Sequence, residues 1–341
     1  MRKGLAVGVA AGAVATVVVA VVLVVSGDRR RDGSERRPAI AAPVVQDEHP
    51  EGRVVRVVPT GFPVGPLVAG FGSLWLGRSH PTDAAVVRID PAAGEVLAAV
   101  PVGGPPRALA VGAGAVWVAG GGDGASPDAW LARVDPDTDR VTGRALVAGS
   151  VDVAVAFDSV WVSGPGGVWR VDPESLRAVA AIPVEGATTL AATSTAVWVT
   201  RPDAGALDRI DPSAGAVAAS VQVGPAPITV VAGPASLWVA DVASGALVEI
   251  DPVTASVVAR VPVAGRPSAL AVDGDGRVWV TVQRTPTGAA TATARTWVHH
   301  LDPATRALSA PAEVGLVLDV AATAGGLWIS DLTQEAVVRI E

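Results

Sequence analysis

The chain has 341 residues, half of them hydrophobic and only 17% charged, which excludes intrinsic disorder for its bulk and provides for one large domain or two ordinary ones. It contains no cysteine, so disulfides, iron–sulfur clusters, thiolate zinc sites and a lipidated cysteine are excluded. The formal charge of −7 divides into +4 over residues 1–37 and −11 over the remainder; a phosphate backbone would be repelled by the larger part, and no nucleic-acid partner is expected.

Leu5 to Val25 runs for 21 residues without a charge, the length of one bilayer crossing at about 20 residues. The apolar region of a cleaved secretory signal is shorter, about 7–15 residues. The length therefore favours an uncleaved anchor, with cleavage after Ser26 or Gly27 as the alternative, because both are small. Two basic residues precede the span and five follow it, a balance that by the positive-inside rule holds the large domain in the cytoplasm. Against this, a short basic N-terminus before one apolar span leads export, and long domains translocate largely regardless of flanking charge. The expectation is a single-pass anchor in the cell membrane with the large domain extracytoplasmic. Gly4, Gly8 and Gly12 lie on one helical face, a small-xxx-small pattern that would pair two spans in a weak dimer; the alternative is chance spacing in an Ala/Gly-rich segment. Residues 28–50, rich in Arg, Pro, Ala, Asp and Glu, show no apolar periodicity and are expected to be a tether. The division is 1–27 anchor or signal, 28–50 tether and 51–341 globular.

The globular part repeats itself. A tryptophan after a short apolar run recurs at Trp75, Trp117, Trp161, Trp198, Trp238, Trp279 and Trp328, at intervals of 42, 44, 37, 40, 41 and 49 residues. An Asp-Pro pair follows six of them, beginning at Asp90, Asp135, Asp172, Asp211, Asp251 and Asp302. A period of about 40 residues with four strand-like runs is that of one β-propeller blade. In the second repeat the strands are expected at 108–112, 115–119, 130–135 and 141–147, called a to d. Valine, isoleucine and tryptophan suit strands, and Gly or Pro punctuates nearly every gap. Both faces of the inner strands are apolar, as required where a sheet is covered on each side, so the repeated tryptophans are expected to pack between blades.

Each Asp-Pro pair reads as a turn. Proline presets φ, the carboxylate accepts from an amide two residues on, and Gly94 is free to take a positive φ before strand d. Arg88, Arg133, Arg170, Arg209 and Arg339 precede the acidic position by two residues and are expected to form a ladder of ion pairs or solvated charges. The last repeat stops at Glu341 without a fourth strand, while residues 52–61, GRVVRVVPTG, resemble the strand d at 256–265, SVVARVPVAG. The N-terminal strand is thus expected to complete the last blade, which removes two exposed sheet edges. The expected fold is all-β, a seven-bladed propeller closed by its N-terminal strand and preceded by one transmembrane helix.

Stretches such as ALVEIDPVTASVVARVPVAGRPSALAVDGDGRVWV (246–280) resemble the YVTN, or YncE-like, propeller repeat, and more distantly NHL and streptogramin-lyase propellers. The resemblance covers about residues 51–341. It implies a seven-bladed bacterial propeller, often exported, acting in ligand or partner binding, without a shared catalytic set.

In such propellers the d–a and b–c connections open on one face around a central channel. The starts of the inner strands place Arg107, Asp152, Thr189, Thr229, Ser268 and Asp319 near that mouth, and three residues past the tryptophans come Arg78, Arg201, Asp241 and Asp331. Polar groups converging on a concavity define the candidate binding site; the alternative is that loop residues are polar because they meet water. Two longer b–c insertions, 120–128 and 283–295, lie on the same face, where irregular loops on a rigid frame carry recognition. Trp130, Trp169 and Trp297 fall on strand c, either as packing or as an aromatic shelf. His299 and His300 point to opposite faces of one strand, and no metal or cofactor site is expected. The expected partner is a protein, peptide or envelope polymer. The enzymatic alternative is a streptogramin-lyase-like C–O lyase, which needs a general base, an acid and a magnesium-holding carboxylate at the mouth; only His80 with Asp83 or Asp331 offers such a set.

Overall fold

The computed structural model describes residues 53–80, 82–121, 128–147, 149–284, 295–323 and 326–341. The expected membrane span, the tether and the Gly4, Gly8 and Gly12 face lie outside these residues. Among the described residues no helix is long and apolar enough to cross a membrane.

Short Val-, Ile- and Trp-rich runs, which suit a pleated surface, form antiparallel strands. β1 (Val54–Pro59) opens the described chain. Blade 1 is β2 (Val64–Gly70), β3 (Ser73–Arg78), β4 (Ala85–Asp90) and β5 (Glu95–Pro101). Blade 2 is β6 (Pro106–Gly112), β7 (Ala115–Gly120), β8 (Trp130–Asp135) and β9 (Arg140–Leu146), each end within two residues of the sequence expectation. Blade 3 is β10 (Asp152–Ala156), β11 (Ser159–Gly164), β12 (Gly167–Val171) and β13 (Ala178–Ile182). Blade 4 is β14 (Leu190–Ala192), β15 (Val197–Arg201), β16 (Ala206–Asp211) and β17 (Ala216–Gln222). Blade 5 is β18 (Pro227–Ala232), β19 (Leu237–Asp241), β20 (Ala246–Asp251) and β21 (Ser256–Pro262). Blade 6 is β22 (Arg266–Val272), β23 (Val278–Arg284), β24 (Arg295–Leu301) and the short β25 (Ala312–Val314). Blade 7 is β26 (Val317–Thr323), β27 (Gly326–Asp331) and β28 (Ala336–Ile340), with β1 as its fourth strand in the order β1-β28-β27-β26. The ring is therefore closed by the N-terminal strand. Val57 pairs with Val338, and Arg53 and Glu341 exchange two backbone hydrogen bonds of 3.0 Å.

The seven tryptophans hold the blades together. Each is 3% exposed or less and packs into an apolar cluster that spans its own blade and the next. Trp75 meets Val116 and Val118, Trp161 meets Val197, Val199 and Ile210, and Trp328 closes the circle against Leu67, Leu74 and Leu76. The indole N–H groups of Trp75, Trp117 and Trp161 donate to the carbonyls of Gly70, Gly112 and Ala156, at 3.1, 3.0 and 3.0 Å.

The arginines do more than form a ladder of charges. Arg88, Arg133 and Arg170 donate through Nη1 to the carbonyls of Pro136, Pro173 and Pro212, at 2.7, 2.9 and 3.0 Å. Each acceptor is the proline of the next blade's Asp-Pro turn, so the repeated Arg and the repeated Pro are the two halves of one inter-blade clamp. Five donors in a fixed fork allow the same guanidinium to reach back to Ser73 or Ser159 through Nε, at 2.9 and 2.8 Å, while its face covers Trp75 or Trp161. Blade 5 inverts the polarity. Glu249 stands opposite Trp238, and Arg306 of blade 6 donates to it at 2.7 Å. Arg339, in the last blade, pairs with Glu341. Replacing Arg170 with Met is expected to cost about 1.5–3 kcal/mol, the range for a hydrogen bond to a charged group, measured as a lower urea midpoint with an unchanged slope.

The turn aspartates behave as the sequence suggests. Asp90 accepts from the amides of Ala92 and Ala93 at 2.7 and 3.1 Å, and these backbone bonds hold its carboxyl below the usual range; Asp135, Asp172, Asp211, Asp251 and Asp302 are lowered likewise, led by backbone bonds except at Asp172, where Ser175 Oγ leads. Gly94 and Gly215 take φ of 73° and 61°, but Asp139, Leu176, Ala255 and Arg306 occupy the same left-handed position at 54°, 58°, 53° and 59°.

Candidate functional site

Strand a is the inner edge of every sheet, and neighbouring a strands touch around the ring, so their free edges line the central channel. The residue after each tryptophan fixes the register: Leu76, Val118, Val162, Val199, Val239, Val280 and Ile329 pair with Leu67, Leu109, Val153, Leu190, Val230, Leu270 and Val320. One residue earlier the channel carries, in blade order, Pro66, Ala108, Asp152, Thr189, Thr229, Ala269 and Asp319. Four of the six strand-a residues singled out in the sequence thus form one level. Arg107 and Ser268 fall one residue earlier, and Ser268 Oγ is engaged with Thr281 Oγ1 at 2.7 Å.

An edge strand leaves backbone groups unpaired, and the polar residues at this level answer the next blade's edge. Asp152 accepts from Leu190 N at 2.8 Å, Asp319 accepts from Leu67 N at 2.9 Å, and Thr189 donates to Ile228 O at 2.9 Å. Each carboxylate also accepts from the amide that follows it, Val153 or Val320, at 2.8 Å. Asp152 and Asp319 stand in blades 3 and 7, on opposite sides of the channel. Burial within the ring pushes both carboxyls up to about 6, against the downward pull of the amides, and the charge of Asp152 adds to the rise at Asp319.

That rise has a sign. Between the ordinary value of 3.8 and about 6, the folded chain binds more protons than the unfolded one. The contribution to stability is complete below pH 3.8 and is lost as pH climbs through about 6. The turn aspartates act in the opposite sense at the acid end, losing their contribution as pH falls below the ordinary value. The D152N/D319N double variant is therefore expected to lose the decline in stability between pH 4 and pH 7, a difference on the order of 2–3 kcal/mol per site. Urea midpoints of both proteins across that range check it; parallel pH profiles would contradict it.

Sequence reasoning missed a set of hydroxyls two residues past the tryptophans. Thr200, Thr281 and Ser330 accept from the amides of Thr189, Ala269 and Asp319 at 3.1, 2.9 and 2.9 Å, pinning strand a at this level. Blade 1 has Gly77 there and needs no hydroxyl, because Pro66 has no N–H to satisfy. A Cβ at Gly77 would lie 2.7 Å from the Pro66 ring. The coincidence of Ser/Thr at this spacing with a non-proline on strand a was the available signal.

The four residues three past the tryptophans divide. Asp241 and Asp331 are fully buried and shape loops: Asp241 accepts from Ala226 N and Ser244 Oγ, Asp331 from Thr333 N, Gln334 N and Gln334 Nε2. Arg78 remains near the surface, bonded to Asp83 at 2.6 Å and lying over Phe62 at 5.3 Å. Arg201 donates to Glu185 O at 2.9 Å and to the buried Asp208 at 3.3 Å, and Asp208 Oδ1 has no partner among the described residues. His80 Nδ1 meets Thr82 Oγ1 at 3.2 Å.

Of the insertions, residues 122–127 and 285–294 lie outside the described residues. Similar pairs stand beside them: Trp130 opens β8 and Trp297 is the third residue of β24, and Arg144 and Arg284 stack on them with 4.2 and 4.8 Å to the ring centroid. Trp130 is buried, whereas Trp169 and Trp297 are half-buried. His299 and His300 diverge, one toward Arg284 and Ser309, the other against Trp279 at 5.2 Å. Among the described residues no three His, Asp or Glu side chains gather as metal ligands.

No protein-family model matches the chain, and no curated protein matches it. Solved structures do. The chain is similar to Kuenenia stuttgartiensis hydrazine synthase at 15% identity, covering 83% of this chain and 97% of that one with a TM-score of 0.67. It is similar to streptogramin B lyase at 12% identity, with coverage of 85% and 98% and a TM-score of 0.66. The WD40 propeller domain of Doa1 matches at 9% identity, with coverage of 86% and 97% and a TM-score of 0.67. These likenesses establish the class, a seven-bladed β-propeller, and at such identities they establish the fold alone.

Proposed function

We propose that the chain is a YVTN-type, membrane-tethered propeller, extracytoplasmic, which binds a protein, peptide or envelope polymer on the face made by its d–a and b–c connections. One observation carries the reading. The positions that recur around the ring are consumed by packing, the Asp-Pro turns and the Arg–Pro clamp, whereas polar departures from the repeat gather on that face. They are Arg78, Arg107 and Arg201, the polar channel level of Asp152, Thr189, Thr229 and Asp319, and the insertions at 120–128 and 283–295. Residues 5–25 supply the membrane anchor and residues 28–50 the tether. The C–O lyase reading has the fold likeness to streptogramin B lyase behind it, and magnesium-dependent turnover by the purified chain would favour it. Loss of a captured partner on shortening 283–295, with the melting temperature kept, supports the binding reading; equal capture by both proteins would sink it. Orientation is tested separately, with a C-terminal tag in wall-stripped cells: digestion by added protease without lysis is the expected result, and protection until lysis would reverse the topology.

A further inference from the structure

Arg284 ends β23 on the b–c face, at the border of blades 5 and 6. Its guanidinium lies over Trp297 at 4.8 Å and its Nη2 is 3.3 Å from His299 Nε2. His299 is buried, and its Nδ1 lies 3.0 Å from the carbonyl of Ser309. A carbonyl only accepts, so Nδ1 carries the proton and Nε2 presents a lone pair to the arginine. Burial, followed after the Ser309 bond by the charge of Arg284, keeps His299 below its ordinary value, and so neutral. Arg284 is thus fixed on a platform by an aromatic face and a neutral acceptor, neither of which cancels its charge.

Two further observations point outward. Arg284 stands directly opposite Arg295 across the strand pair, an arrangement of like charges that is unfavourable by itself. Arg295 is answered by Glu313 at 2.8 Å, but among the described residues no carboxylate answers Arg284. Its Nε–H is also removed from water without an acceptor among the described residues. Arg144 on Trp130 differs at this point, because it is exposed and water serves it. We propose that Arg284 is the receptor for a single carboxylate of a bound peptide, with Trp297 and His299 as positioning residues. One uncompensated guanidinium matches a monoanion, and a chain this acidic disfavours a polyanion. The inference rests on the binding reading of this face and names a ligand group for it.

The test uses the full chain labelled with ¹⁵N-arginine and the blocked pentapeptide Gly-Gly-Glu-Gly-Gly, with its Gln counterpart and inorganic phosphate as comparisons. The Arg284 Nε–H signal, assigned by its loss in R284K, is expected to move saturably with the Glu peptide alone. W297L, where its melting temperature is kept, is expected to weaken the response at least about fivefold, since it removes the stack that orients the guanidinium. No saturable movement in the wild-type chain overturns the proposal. An equal response to the Gln peptide, or a tighter one to phosphate, overturns the carboxylate assignment. Partner capture that depends on 283–295 would persist in either case if the wider binding reading is sound, which keeps the two failures apart.

Discussion

Deleting residues 48–60 is expected to yield aggregated protein. β1 is the fourth strand of the last blade and is drawn from the opposite end of the chain, so its loss leaves β28 as a bare sheet edge able to pair with other molecules. It also removes Val58, which is 4% exposed and packed with Leu67, Leu74 and Trp328 at the junction of blades 7 and 1. A ring opened there loses its seam from outside, although Asp319 still reaches Leu67 N within the channel. Size exclusion and thermal melting decide the matter, and a soluble monomer with an unchanged melting temperature would refute closure as the basis of stability.

Trp161→Ala is expected to destabilise by about 3–5 kcal/mol, the range for emptying a buried aromatic site. Trp161 is fully buried, contacts two blades, donates to Ala156 O and carries Arg170 at 5.7 Å. The same change at the half-buried Trp297 should cost markedly less. Urea unfolding of the two variants separates packing from ligand stacking, because a stacking role at Trp161 would leave stability near that of the parent chain.

The scaffold was legible because it is periodic. Tryptophan spacing, Asp-Pro turns and the missing final strand each repeat or fail to repeat, and a count of them yields seven blades and the closure. The destination of Arg88, Arg133 and Arg170 was not legible, since the acceptor is a proline carbonyl in the following repeat and a backbone atom leaves no mark in the sequence. Asp241 and Asp331 share the spacing of Arg78 and Arg201, yet burial turns them inward to staple loops. The channel level was half legible: Asp152, Thr189, Thr229 and Asp319 were found, but in blades 2 and 6 the residues at that level are Ala108 and Ala269, one place after Arg107 and Ser268. Blade 6 departs furthest. Its outer strand is only Ala312–Val314, and the Arg284 platform forms where Trp297 and His299, two residues apart, share one face of β24.

The central claim is that one face of a closed ring does the binding. Site-specific photocrosslinkers placed at Arg201 and Thr229, on the b–c and d–a face, and at Ser213 and Thr254, in the Asp-Pro turns opposite, test it directly in intact cells. Discrete crosslinked products are expected from the first pair and none from the second. Products from the turn positions, or from all four alike, would contradict it.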